Sequence, residues 1–279
     1  MKKIGLAALL ALTTLAGCGD GGEKEAQLRL QKAEAALQQE NFSEAKLQID
    51  SVKILYPKAF EARRKGIKLM QQVDLKEQQK TLDYLNGMMQ MKQAQLDSIK
   101  GNFVLEKDTA YQEIGNWFYP TQVVEKNVGR SFLRAQVNEL GEMSLTSIYC
   151  AGGKLNHTSV KVSVGDVFAE TPMAKDSYIT SDLGRTIEKA DYKVGEDGGV
   201  VGFIVVNQEK NIQLTFIGDK TYRTAMQKND RKAILELTEL ARILSSMEEI
   251  RKQQKEADLK IQFVTRKMQE AKDEQELEK

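Results

Sequence analysis

Leu240-Ala241-Arg242-Ile243-Leu244-Ser245-Ser246-Met247-Glu248-Glu249-Ile250 opens a run in which two sets of residues alternate at heptad spacing. Leu240, Met247, Gln254, Ile261 and Met268 form one set; Ile243, Ile250, Ala257, Val264 and Ala271 form the other. All but Gln254 are apolar, as the seam of a long helix packed on another helix requires. A single polar seam residue of this kind fixes register. Asn229-Asp230 supplies a start signal, and no Gly or Pro follows Gly218, so a helix is predicted over 229–275, about 65 to 70 Å long at 1.5 Å per residue.

A second, less regular heptad lies at 73–101, with Leu75, Leu82, Met89 and Leu96 on one seam position and Leu85, Lys92 and Ile99 on the other. Between the two arms the composition changes. Thirteen of the twenty glycines fall between 101 and 220, and thirteen of the eighteen aromatics between 103 and 222. Alternating runs at 131–137 and 143–149 flank Gly141 as a hairpin, and further strands are predicted at 158–164, 186–194, 200–206 and 211–217. The last two would form a second hairpin through Asn207-Gln208-Glu209-Lys210. The predicted fold class is α+β: long antiparallel, coiled-coil-like helical arms carrying an inserted antiparallel β-sandwich or barrel domain at 103–220. The alternative is that one heptad arm pairs in trans as a homodimer.

Residues 24–72 form a third region. Leu28, Leu30, Ala33, Ala36 and Leu37 have helical spacing, Glu40-Asn41-Phe42-Ser43 breaks it, and Ala45, Ile49 and Val52 resume it before Tyr56-Pro57. Ala33, Ala36, Phe42, Ala45, Ile49, Val52 and Pro57 resemble a single tetratricopeptide repeat, in which small residues let paired helices approach closely. One repeat does not stand alone, so 24–72 reads as a TPR-like helical hairpin capped by the next helix.

The start of the chain carries an address. Met1-Lys2-Lys3 is basic, Ile4 to Leu15 is apolar and too short to span a bilayer, and Leu15-Ala16-Gly17-Cys18 follows. This resembles the bacterial lipobox, with every position filled. The resemblance implies a signal peptide at 1–17, cleavage between Gly17 and Cys18, palmitate-type acylation of Cys18, and an acylated tether at 18–23, hence attachment to a membrane through lipid. The order of lipobox, helical hairpin, heptad arm, β domain and heptad arm is similar to that of envelope lipoproteins of Gram-negative bacteria. It implies a lipid-anchored protein of the cell outer membrane, facing the periplasm or the cell surface.

Composition excludes several classes. Forty-one basic against forty acidic residues give a net charge of +1, with no field to steer nucleic acid. A single histidine, His157, rules out multi-imidazole sites within one chain, and once Cys18 is acylated only Cys150 remains, so no intrachain disulfide forms. A Cys150/His157 nucleophile pair lacks a third orienting group in the sequence. There is no Gly-rich phosphate loop, nucleophile elbow, HExxH or paired CxxC, so no catalytic residue and no cofactor is assigned.

The remaining candidates are surface features. Trp117-Phe118-Tyr119 would place Trp117 and Tyr119 on one strand face, suited either to stacking on a glycan or to core packing. Glu139/Glu142 and Asp166/Glu170 are the carboxylate pairs that a glycoside hydrolase would need. Met88-Met89-Gln90-Met91 reads as seam filling rather than soft-metal ligation. Lys58, Arg63, Arg64, Lys65 and Lys68 read as a solvated basic face. Asp50-Ser51-Val52, Asp97-Ser98-Ile99 and Asp108-Thr109-Ala110 resemble an envelope O-glycosylation tripeptide, which implies Ser51, Ser98 and Thr109 as acceptors. The function expected is a membrane-anchored, non-enzymatic protein-interaction or spacer module with an envelope protein as partner; glycan binding through the β domain is the alternative, and a carboxylate hydrolase the third reading.

Overall fold

Glu23–Gln38 and Phe42–Leu55 are helices, α1 and α2, joined by three residues into an antiparallel hairpin. Asn41 caps α2 by accepting the Glu44 N–H, and Tyr56-Pro57 ends it. The computed structural model describes residues 22–182 and 184–277; the apolar run and the Leu15–Cys18 motif lie outside the described residues. These divide into two compact units, one formed by 22–83 with 256–277, the other by 84–255.

In the first unit α3 (Phe60–Ile99) begins beside the hairpin. The Glu23 carboxylate accepts the Ala62 N–H at 2.6 Å and so caps the first turn of α3. Ala33, Ala36, Ala45, Ala59 and Ala62 are buried together with Leu30, Ile49, Val52 and Leu69, which lets the helix backbones approach closely. Lys46 on α2 bridges Asp74 and Glu77 on α3, at 2.7 and 2.6 Å. The expected division at residue 72 between hairpin and heptad arm falls inside α3, because good helix formers run from Ile67 to Asn86 without Gly or Pro.

The second unit holds ten strands in two open antiparallel sheets. The first sheet has the order β1 (Val104–Glu106), β2 (Asn116–Phe118), β3 (Phe132–Asn138), β4 (Met143–Ala151), β8 (Arg185–Lys193) and β7 (Ser177–Asp182). The second has the order β10 (Thr221–Ala225), β9 (Gln213–Ile217), β5 (Ser159–Val164) and β6 (Val167–Glu170). The barrel alternative is thereby corrected: among the described residues neither sheet closes on itself. Leu133, Leu145 and Tyr192 from the first sheet and Val160, Leu214 and Phe216 from the second belong to one buried apolar cluster.

Helix α5 (Lys228–Leu277) contributes Ile234, Leu237, Leu240 and Leu244 to that cluster, and Leu96 and Ile99 of α3 pack against it. Farther from the sheets, Gln254 donates to Asn86 Oδ1 at 2.8 Å, so within this unit α3 and α5 run antiparallel. Of the expected seam, Leu240, Ile243, Met247 and Ile250 are buried in this unit and Ala257 and Val264 in the first, while Gln254, Ile261, Met268 and Ala271 are half-buried.

One expected strand is a helix. Val200–Val206 forms α4, which replaces the strand and hairpin predicted there. Asp197 accepts the Val201 N–H at 2.8 Å, Gly198 and Gly199 both take left-handed φ, and Val200, Val201 and Ile204 bury one helical face, overriding their β propensity. β9 pairs instead with β10, which carries the β region past the expected limit at residue 220.

The β3–β4 turn docks on α5 through Gly141, at φ 84°; a Cβ there would lie 2.2 Å from the Ser245 backbone nitrogen. Gly141→Ala is therefore expected to destabilise the second unit by about 2 to 4 kcal/mol. Gly66→Ala, whose Cβ meets Ile49 and Leu30 at 3.5 Å, an ordinary contact, should be neutral or gain up to about 1 kcal/mol. Urea denaturation of the two variants checks both.

Candidate functional site

Between α2 and α3 lies a groove of about 540 Å³. Its floor is Ile49, Val52, Gly66 and Met70; its walls are Asp50, Lys53, Phe60, Arg63, Arg64 and Ile67. Phe60 is 70% exposed, Ile67 64% and the neighbouring Ile54 73%. Phe60 and Ile67, two large apolar side chains left in water along the groove, mark it as a docking surface. The Arg63 guanidinium donates to the Pro57 carbonyl at 2.9 Å, which holds it at the rim. Among the described residues none of Lys58, Arg63, Arg64, Lys65 and Lys68 makes an ion pair. The basic run expected to be solvated thus splits: Lys58, Lys65 and Lys68 face water, while Arg63 and Arg64 line the groove.

Sequence reasoning missed a polar constellation in the second unit. Ser147 Oγ lies 2.7 Å from His157 Nε2, and His157 Nδ1 lies 3.0 Å from Glu188 Oε2. The Glu188 carboxylate also accepts the backbone N–H groups of Leu155, Asn156 and His157, at 2.6, 2.9 and 2.8 Å. Asn156 adopts a left-handed φ of 53°, which turns three successive N–H groups onto one anion. Burial opposes ionisation of Glu188, but these donors outweigh it and hold the carboxyl below its ordinary value. Burial likewise pushes the His157 imidazole below its ordinary value against the pull of Glu188. The ring is therefore neutral, with Nδ1–H donating to Glu188 and Nε2 accepting from the Ser147 hydroxyl.

This order of Ser, His and carboxylate is that of a hydrolase triad. Its surroundings are not. Ser147, His157 and Glu188 are 0%, 2% and 1% exposed, and the Phe216 ring packs edge-on to the imidazole at 5.3 Å, so no substrate atom reaches the hydroxyl. What the arrangement does is clamp the 152–158 connection, where the chain leaves the first sheet for the second. The signal for it was present: Ser147 and Glu188 stand at inward positions of alternating strands, between Leu145 and Tyr149 and between Thr186 and Ala190. A charged residue at such a position needs buried partners.

Cys150 and His157 do not pair. Cys150 lines a recess on the outer face of the first sheet, while His157 packs on the inner face, as neighbouring strand positions dictate. Trp117 and Tyr119 are half-buried against the apolar cluster, and Tyr119 meets Phe103 edge-on at 6.1 Å. Glu139 is engaged by Lys107 and the Gly115 N–H, and Glu142 by Asn138, whereas Asp166 and Glu170 line one shallow recess on the second sheet with Lys161 and Arg223. Ser51 and Ser98 donate to carbonyls within their own helices, Leu47 and Gln95, and Thr109 is exposed in a turn. Met88 and Met89 are half-buried on α3 and Met91 is exposed. Gly17 and Cys18 lie outside the described residues. No helix among the described residues is long and apolar enough to cross a membrane. Comparison of the chain with protein-family models, with curated proteins and with solved structures finds no match.

The buried pair sets a pH dependence. His157 binds its proton more weakly folded than unfolded, so its contribution is complete above its unfolded value of about 6.5 and is lost as pH falls below it. Glu188, also lowered, adds a loss in the same direction beneath about 4.5. Asp230, raised by burial, acts in the opposite sense. Chemical denaturation across pH 5 to 7 isolates the histidine: His157→Gln is expected to show a smaller gain in stability with rising pH than the parent chain. Glu188→Gln should cost about 2 to 4 kcal/mol at neutral pH, because three buried N–H groups then face a weaker acceptor.

Proposed function

We propose that the chain is a lipid-anchored envelope lipoprotein that works as a non-enzymatic interaction module, taking its partner in the groove between α2 and α3. The observation that carries the reading is the exposed apolar pair Phe60 and Ile67 lining the groove beside Lys53, Arg63 and Arg64. Three cations against Asp50 alone favour an acidic amphipathic segment of an envelope protein, with apolar side chains on the groove floor and carboxylates at the rim. Anchoring is supported by Leu15-Ala16-Gly17-Cys18 directly after a short apolar run. In this reading α3 and α5 act as spacers, and the two sheets are the layers of a β-sandwich; the single apolar cluster drawn from both supports that arrangement.

Glycan binding through Trp117 and Tyr119 has less support, since both rings are packed against the core. In-cell crosslinking from the groove, followed by peptide mapping, tests the main reading. One recurrent envelope protein, joined through an acidic segment, is expected. Phe60→Asp with Ile67→Asp should weaken its capture by about 2 kcal/mol or more without changing the circular dichroism, and Cys18→Ala should abolish it by releasing the chain. Capture that is indifferent to the groove substitutions, or recovery of the chain itself or of glycan alone, would overturn it.

A further inference from the structure

We infer that a second site, on the outer face of the first sheet, binds a small monoanionic organic oxyanion, a carboxylate or sulfonate on a compact apolar body. The recess, about 150 Å³, is lined by Arg130, Arg134 and Lys189 together with Phe132, Ile148 and Ile187. It is independent of the groove between α2 and α3.

The recess is built by the segment that follows β2. Where β2 ends, the side-chain amide of Gln122 continues the ladder on β3, donating to the Leu133 carbonyl and accepting the Ala135 N–H, both at 2.9 Å. Asn127 donates to the Thr121 and Val123 carbonyls at 2.8 Å, and Arg185 ties the Gly129 carbonyl to β8 at 2.7 Å. The two arginines are thereby held in place. Arg134 stacks on Phe118, its guanidinium carbon 3.9 Å from the ring centre, and Arg130 on Phe132 at 4.6 Å. Their side chains are only 16% and 24% exposed.

These guanidinium groups are not fully used. Arg130 donates to Asn127 and pairs with the buried Asp230, but its Nε–H is buried with no acceptor among the described residues. Arg134 Nε and Nη2 are buried and equally without one; the nearest carboxylate, Glu106, lies 3.7 Å from Nη2, too far for a hydrogen bond. Those buried donors are sealed from the recess; what the recess offers an oxyanion is the Arg134 guanidinium through Nη1, which has no hydrogen-bond partner among the described residues, and the Lys189 ammonium that lines the same recess. Lys189, exposed on β8, makes no ion pair among the described residues. Asp230 pairs with Arg130, and the carboxylates of Glu106 and Glu125 act on Arg134, so the site carries little surplus charge and suits nothing more charged than a monoanion. The apolar walls and a volume close to that of a cavity that accommodates benzene call for a ring-sized substituent behind the charge.

The test is titration of the full chain with benzoate and benzenesulfonate at constant ionic strength, followed by calorimetry and by the rate at which a neutral thiol reagent modifies Cys150, which lines the recess. Benzamide is the neutral control, and inorganic phosphate the probe without an apolar body. Saturable binding of benzoate or benzenesulfonate that slows Cys150 modification is expected. Arg134→Met should weaken it by about tenfold or more, and Lys189→Glu, an exposed change that leaves the fold intact, by a smaller factor. Three results would overturn the assignment: no saturable binding of either acid in the millimolar range, binding of benzamide or phosphate as tight as that of the acids, or affinity unchanged in Lys189→Glu. Should Arg134→Met unfold, the Lys189→Glu result decides.

Discussion

The second unit depends on one buried anion. Glu188 stands on the inward face of β8, where a carboxylate would be untenable unless fully engaged, and four N–H groups from residues 155–157 engage it. Those residues lie on the connection that carries the chain from β4 in one sheet to β5 in the other. A crossing of this kind has no strand partner, so its backbone donors must find acceptors elsewhere. Glu188 is that acceptor, and His157 and Ser147 extend the grip to β4. Directly after this crossing β5 takes its place between β9 and β6, and Val160 and Val162 meet the apolar cluster shared with the first sheet. The triad-like geometry is a consequence of structure-holding, which accounts for its complete burial.

Helix packing supplies the second constraint. Ile234, Leu237, Leu240 and Leu244 make the first part of α5 a wall of the β core, so the helix is a component of that unit and more than an appended arm. Gly141 allows the β3–β4 turn to meet the backbone of α5 directly. Lys46 in the first unit does comparable work with side chains, tying α2 to α3 through Asp74 and Glu77; burial weakens its charge, but the two carboxylates outweigh this and raise its pKa.

What could be read from the sequence was whatever repeats with a fixed period. The heptad seam of α5 names six of its buried residues and leaves out Ile234, Leu237, Ala241 and Leu244, which face the β core; the alternation in 131–137 and 143–149 yields β3 and β4 in register about Gly141, and the small residues of 24–72 yield the hairpin. The rest depended on events that periodicity does not encode. Val200–Val206 is β-rich by composition, but Asp197 and two left-handed glycines start a helix there. β1, β2 and β6 are three or four residues long, too short to show alternation. The pairing of His157 with Ser147 and Glu188, instead of with Cys150, is set by which strand face each residue occupies once the sheets are formed. The groove and the arginine recess were legible only in part: the basic run was visible, whereas the exposure of Phe60 and Ile67 and the open donors of Arg130 and Arg134 are products of packing.

Because the chain has a single histidine, nitrogen-15 NMR of its imidazole tests the grip on the crossing most directly. The account predicts a neutral ring at pH 7.5 with the proton on Nδ1, and a slowly exchanging Nδ1–H coupled to the Glu188 carboxylate. A neutral ring protonated on Nε2, or an Nδ1–H that exchanges freely with solvent, would mean that Glu188 does not hold residues 155–157 as described, and would contradict it.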